Sequence, residues 1–122
     1  MPHLIYEITD NLDTAEADIK GLLQKSNQVL IDQGGVFPTG GIRSRVIWLK
    51  DYCVADGAQP SDAFVHLTLK IGAGRSDEAK KKTGDELFAM LSEHFAACFE
   101  RHGLALSMEI ARATDSELIA CR

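Results

Sequence analysis

No run of apolar residues in this sequence approaches the roughly 18 that a membrane-spanning helix requires. Lys, Asp, Glu or Gln interrupts each within a few positions, so no transmembrane helix is expected. Cysteine is sparse and odd in number: Cys53, Cys98 and Cys121 are widely spaced, with no C-x-x-C pair. That argues against a disulfide framework or a cysteine-held zinc and fits reduced thiols in the cytoplasm. His3, His66, His94 and His102 form neither H-E-x-x-H nor a His-Cys pair at ligand spacing, so no metal is expected. No serine occupies a G-x-S-x-G elbow, and no histidine neighbours a cysteine in sequence, which leaves nucleophilic catalysis without support. Basic residues are the minority, 13 Lys+Arg against 18 Asp+Glu, for a net charge of −5. No global positive field would recruit nucleic acid or an anionic membrane, and an anionic ligand must be held by a local cluster of cations. The start, Met1-Pro2-His3-Leu4-Ile5-Tyr6-Glu7, lacks the basic and apolar regions of a secretory signal, so a cytoplasmic chain is expected.

What is present is the composition of a single folded domain spanning residues 1–122, with 45% hydrophobic and 25% charged residues. His3, Ile5 and Glu7 alternate with Leu4, Tyr6 and Ile8, the period of a strand. Asp13-Thr14-Ala15-Glu16 is spaced as a capping box. Ile19, Leu22, Leu23, Ser26, Val29 and Leu30 follow at helical spacing, closed by Gly34-Gly35. After a turn carrying Phe37-Pro38-Thr39-Gly40-Gly41, alternation from Ile42 to Leu49 predicts a second strand, with Arg43 and Arg45 on one face. Lys50 to Pro60 has no sustained period and reads as a long connection.

Ala63 to Ile71 is the clearest strand, and Gly72-Ala73-Gly74-Arg75-Ser76 turns it into a helix with Ser76 as N-cap. In that helix Ala79, Thr83, Leu87, Leu91, Phe95 and Cys98 make an i+4 stripe, joined by Phe88, Met90 and Phe99, and Gly103 ends it. Leu104 to Ile110 predicts the last strand, and the tail 111–122 reads as irregular or short-helical. The order strand, helix, strand occurs in both halves, about 2–49 and 63–110. It implies an α+β fold: a doubled β-α-β unit making one four-stranded mixed sheet with two helices on one face. The other sheet face is left uncovered. If it carries Val65, Leu67 and Leu69 or their alternates, it is apolar and calls for oligomerisation.

Chemistry can be placed at three points. Pro2 follows Met1, and removal of Met1 would expose a secondary amine; the α-amino reference pKa is roughly 7.7–8.0, and one unit of depression makes it a useful base near neutrality. Burial and nearby arginines both push in that direction. Arg43 and Arg45 stand at i and i+2 on a strand, and Arg75 at a strand-to-helix turn with glycines that let backbone approach an anion. A guanidinium grips a carboxylate with two parallel bonds, each charge-assisted bond contributing roughly 1.5–3 kcal/mol. Taken singly, each arginine is equally a solvated or ion-paired strand residue. Gly72-Ala73-Gly74 lacks the third glycine of a dinucleotide loop and the Gly-Lys-Ser/Thr of a P-loop.

Met1-Pro2-His3, Phe37-Pro38 leading into Gly41-Ile42-Arg43-Ser44-Arg45-Val46, and the run from Ala63 to Ser76 together resemble the 5-carboxymethyl-2-hydroxymuconate delta-isomerases of the tautomerase superfamily. The likeness extends from Pro2 to about Ile110. It implies a cytoplasmic homotrimer of doubled β-α-β protomers, without metal or organic cofactor, acting in homoprotocatechuate breakdown. The substrate implied is a di- or tricarboxylate enol, 5-carboxymethyl-2-hydroxymuconate, and the product its 2-oxo-3-ene isomer. By position, Pro2 matches the catalytic N-terminal proline, and Arg43 and Arg75 match the arginines of the G-I-R-S and G-A-G-R-S motifs. Arg45 and Phe37 are secondary substrate-binding candidates. A retained Met1 would block the base. Two alternatives stand beside this: a tautomerase for another enol acid, and a non-catalytic trimeric binding module.

Overall fold

The computed structural model describes residues 1–112. Strand β1 (His3–Thr9) leads to helices α1 (Thr14–Ala17) and α2 (Ile19–Ile31), a 3-10 turn at Thr39–Gly41 and strand β2 (Arg43–Leu49). The second half repeats the pattern with β3 (Ala63–Ile71), α3 (Asp77–His94), α4 (Ala96–Arg101) and β4 (Leu104–Arg112). The four-stranded sheet has the order β2-β1-β3-β4; β1 is parallel to β2, β3 is parallel to β4, and β1 meets β3 antiparallel. This is the α+β, doubled β-α-β arrangement expected from the order of elements. Among the described residues no helix is long and apolar enough to cross a membrane.

Both helices expected from the sequence are divided. Asp18 adopts a left-handed conformation (φ 40°), its N–H donating to the Thr14 carbonyl while its carboxylate accepts from the Gly21 N–H. One residue thus ends α1 and caps α2. Gly21 is what permits it, because a Cβ there would collide with the Asp18 carboxylate. The Asp13 carboxylate accepts from the Glu16 N–H at 3.0 Å, the cap read from the sequence. In the second half the helix breaks at Phe95, whose buried side chain carries the Thr83, Leu87, Leu91 stripe on to Cys98. Ser76 caps α3 as expected. Phe88 and Phe99, expected to join that stripe, are instead among the exposed large hydrophobics.

The sheet faces correct a second expectation. Leu4, Tyr6 and Ile8 of β1 and Val65, Leu67 and Leu69 of β3 are fully buried in the helix-covered core. Val65, Leu67 and Leu69 therefore do not form the open face. Their alternates carry the open face instead: His3, Ile5 and Glu7 of β1 stand beside Lys70, Thr68 and His66 of β3, with the exposed Ile47 of β2 opposite Glu7. The long apolar strand residues went to the core because one helical layer per half needs a continuous apolar partner. Within the core the Tyr6 hydroxyl meets Ser26 Oγ at 2.5 Å, and Ser26 Oγ donates to the Leu22 carbonyl, so Tyr6 is the donor. Strand β4 runs to Arg112, taking Ala111 and Arg112 out of the expected tail. The rest of that tail, 113–122, lies outside the described residues.

Candidate active site

The antiparallel pairing of β1 with β3 and the parallel pairing of β1 with β2 bring three chain segments to one end of the sheet. There His3 is flanked by Arg43 on one side and Lys70 on the other. Pro2, one residue earlier, is buried, and its carbonyl accepts from the Arg43 N–H at 3.0 Å. By alternation its side chain shares the helix side with Leu4. The backbone of Gly41 lies under this start: a Cβ there would stand 3.6 Å from Met1 Cγ and 3.9 Å from Pro2 Cδ. The Arg43 guanidinium folds back over the same turn, Nη1 donating to the carbonyls of Gly40 (2.7 Å) and Ile42 (3.1 Å). Arg43 and Pro2 are thus joined through backbone and share one turn.

Arg75 enters from the loop after β3. Its Nη1 donates to the Gly72 carbonyl at 3.4 Å, and its guanidinium lies over the Phe37 ring, 4.7 Å from the centroid. Its Nε is buried with no hydrogen-bond partner among the described residues. A buried N–H left unpaired is costly, so it marks a place where an acceptor from outside the chain would be gained. Phe37 is 2% exposed. Phe37, a substrate-binding candidate from its sequence motif, lies beneath the Arg75 guanidinium.

Arg45 stands one row beyond Arg43 on the open face, its Nη1 3.0 Å from His3 Nδ1. A guanidinium can only donate, so Nδ1 is the acceptor and the neutral ring carries its proton on Nε2. The His3 pKa lies below its ordinary value through burial first, then the positive charges of Arg45, the chain's amino terminus, Arg43 and Lys70. His3 and Lys70 were not singled out from the sequence, because only the register between β1 and β3, distant in the chain, sets them side by side. Among the described residues no group of three His, Cys, Asp or Glu side chains could hold a metal ion. A groove of 530 Å³ lined by Gly84, Phe88, Met108 and Ile110 lies on the far edge of the sheet and contains none of the residues above.

The arrangement therefore offers a buried chain start, a turn and loop carrying guanidinium groups, and a concentration of positive charge suited to carboxylates. Residues 2–119 match the family described as 5-carboxymethyl-2-hydroxymuconate isomerase. The chain is 51% identical over 110 residues, 90% of its length and 85% of the relative's, to the Escherichia coli 5-carboxymethyl-2-hydroxymuconate Delta-isomerase. The crystal structure of a 5-carboxymethyl-2-hydroxymuconate isomerase from Deinococcus radiodurans R1 superposes with a TM-score of 0.91 at 52% identity, over 99% of this chain and 87% of that one. A second crystal structure, of a 5-carboxymethyl-2-hydroxymuconate delta-isomerase, gives 0.86 at 25% identity, over 100% of this chain and 87% of the other.

Proposed function

This chain belongs to the 5-carboxymethyl-2-hydroxymuconate isomerase family, and on that premise we propose that it converts 5-carboxymethyl-2-hydroxymuconate to 5-carboxymethyl-2-oxo-hex-3-ene-1,6-dioate. The two names define the bond changes. A 2-hydroxy-2,4-diene becomes a 2-oxo-3-ene, so one proton leaves the 2-hydroxyl and one arrives at C5. The C2–O bond becomes a carbonyl, the C2–C3 double bond moves to C3–C4, and the C4–C5 pair takes the proton. Atoms and electrons balance within the substrate, so the reaction needs a proton carrier and no redox partner.

The carrier in this reading is the secondary amine of Pro2, free once Met1 is removed. The observation that supports it is the placement of Pro2, buried beside the Gly41 turn at the cationic end of the sheet. Beside it, burial and the charges of Arg45, Arg43 and Lys70 hold the His3 ring below its ordinary pKa. Arg43 and Arg75 then hold substrate carboxylates and the negative charge that develops on the 2-oxo oxygen. A positioned base supplies about 10²- to 10⁴-fold acceleration, and the arginines supply stabilisation beyond that. Assembly as a homotrimer belongs to the same reading. It is supported by the exposed Ile47 and Trp48 on β2, an edge strand with no neighbour on its outer side among the described residues of one protomer.

The test is an ultraviolet assay of isomerisation, comparing 5-carboxymethyl-2-hydroxymuconate with 2-hydroxymuconate, which lacks the third carboxylate. A higher kcat/KM for the tricarboxylate is expected. Equal or better turnover of the dicarboxylate would assign the site to another enol acid, and turnover of neither would remove the catalytic reading.

A further inference from the structure

Across three adjacent strands, Arg43, His3 and Lys70 stand in register in one row of the open sheet face. Neighbouring strands are about 4.8 Å apart, so the row is about 10 Å long. Arg45 enters it from the next row by bonding to His3 Nδ1 at 3.0 Å. Like charges facing one another across a sheet are destabilising, and the Glu109 carboxylate, which lies within the field of Lys70, is itself bonded to His66. Among the described residues, Arg43, Arg45 and Lys70 have no carboxylate within salt-bridge distance, although Asp and Glu outnumber Lys and Arg 18 to 13. The donors are also prearranged: with Nδ1 occupied by Arg45, the neutral His3 ring turns Nε2–H into a donor, beside the ammonium of Lys70 and the remaining N–H groups of Arg45.

We propose that His3, Arg45 and Lys70 form a carboxylate subsite on the open sheet face, separate from the Phe37–Arg75 pair, which takes the substrate carboxylate most distant from the 2-hydroxyl. The inference rests on the substrate reading given above, and it assigns work to two residues, His3 and Lys70, that touch no reacting atom. His3 is a positioning and binding group that donates through Nε2–H while Nδ1 accepts from Arg45. The charged groups facing it are Arg45 and Arg43 from β2, Lys70 from β3 and the amino terminus of its own strand, with Glu7 further along the same face. A bound carboxylate offsets the positive charges that hold the ring neutral, so anion binding raises the His3 pKa and is accompanied by proton uptake.

The experiment separates this subsite from turnover by using tricarballylate, a tricarboxylate that cannot isomerise. His3 ring resonances are followed by NMR across pH with and without tricarballylate, at constant ionic strength, in the wild-type protein and in Lys70→Met and Lys20→Met. Lys20 is an exposed control on α2. An upward shift of the His3 titration in wild type and Lys20→Met, with tricarballylate binding weakened roughly tenfold in Lys70→Met, is expected. In the isomerisation assay Lys70→Met should raise KM for the tricarboxylate roughly tenfold while kcat stays within about twofold. No movement of His3 with tricarballylate, or a movement that Lys70→Met leaves intact, overturns the subsite. Neither result depends on whether the protein turns over the muconate, so failure of the subsite and failure of the substrate reading are told apart.

Discussion

The guanidinium of Arg75 lies over the Phe37 ring, 4.7 Å from its centroid, while the ring itself is 2% exposed. One aromatic face therefore serves as a support for a cation whose buried Nε has no hydrogen-bond partner among the described residues. A cation over a desolvated ring is worth about 0.5–2 kcal/mol, enough to fix one rotamer of a long side chain.

Replacing Phe37 with Leu keeps most of the buried volume and removes the ring face. The expected result is a fall in kcat/KM of about three- to thirty-fold with the fold intact. In Phe37→Leu/Arg75→Ala the two losses should not add, because both act through the Arg75 guanidinium. Additive losses in that double-mutant cycle would place Phe37 against substrate instead.

Arg43→Ala and Arg75→Ala should each lower kcat/KM about ten- to 150-fold, the loss of roughly 1.5–3 kcal/mol from one charge-assisted interaction. Lysine at either position should rescue only in part, since a point charge does not reproduce a bidentate fork. Arg101 is the control: it pairs with Glu16 at 2.6 Å, linking α4 to α1 far from the site. Arg101→Ala should leave kcat/KM unchanged, and a loss equal to that at Arg75 would remove the case for a specific arginine site.

The depressed His3 pKa gives stability a pH dependence of defined sign. Above about pH 6.5, the ordinary value, the ring is neutral in both folded and unfolded chains and costs nothing. As pH falls through 6.5 the unfolded chain takes up the proton first, so stability drops until the lowered folded value is reached, and is level below it. Denaturation curves of wild type and His3→Asn between pH 7.5 and 5 should converge towards the acid end, with the wild type losing more. Parallel curves would show that burial and the neighbouring cations do not lower the His3 pKa.

The homotrimer is tested by sedimentation. A species of three 13.3 kDa chains is expected, and Trp48→Glu, which places a charge on the exposed edge of β2, should shift it towards monomer. A stable wild-type monomer at micromolar concentration would refute the assembly.

Local signals carried most of the fold. Alternation located the four strands, and the Asp13 and Ser76 side chains cap their helices as their spacing implied. The failures share a cause, which is that they depend on partners remote in sequence. Alternation identified two faces of Ala63–Ile71 without saying which one the helices cover, and the apolar set, Val65, Leu67 and Leu69, proved to be inward. The Asp18 break needed a left-handed residue whose carboxylate meets Gly21, and no period in the sequence announces that conformation. At the site, the arginine positions were legible from their strand and turn motifs. The Phe37–Arg75 stack spans 38 positions of chain, and the row of His3, Arg43 and Lys70 exists only through strand register.

The central claim is that a free Pro2 amine carries the proton, and the most direct measurement compares two forms of one preparation. Intact mass identifies chains that begin at Pro2 and chains that retain Met1, in which the Pro2 nitrogen is an amide and cannot accept a proton. Isomerisation of 5-carboxymethyl-2-hydroxymuconate is then followed for each. Activity confined to chains beginning at Pro2, with loss of at least about a hundredfold in those retaining Met1, is the expected result. Equal rates for the two forms would contradict the account and require another base.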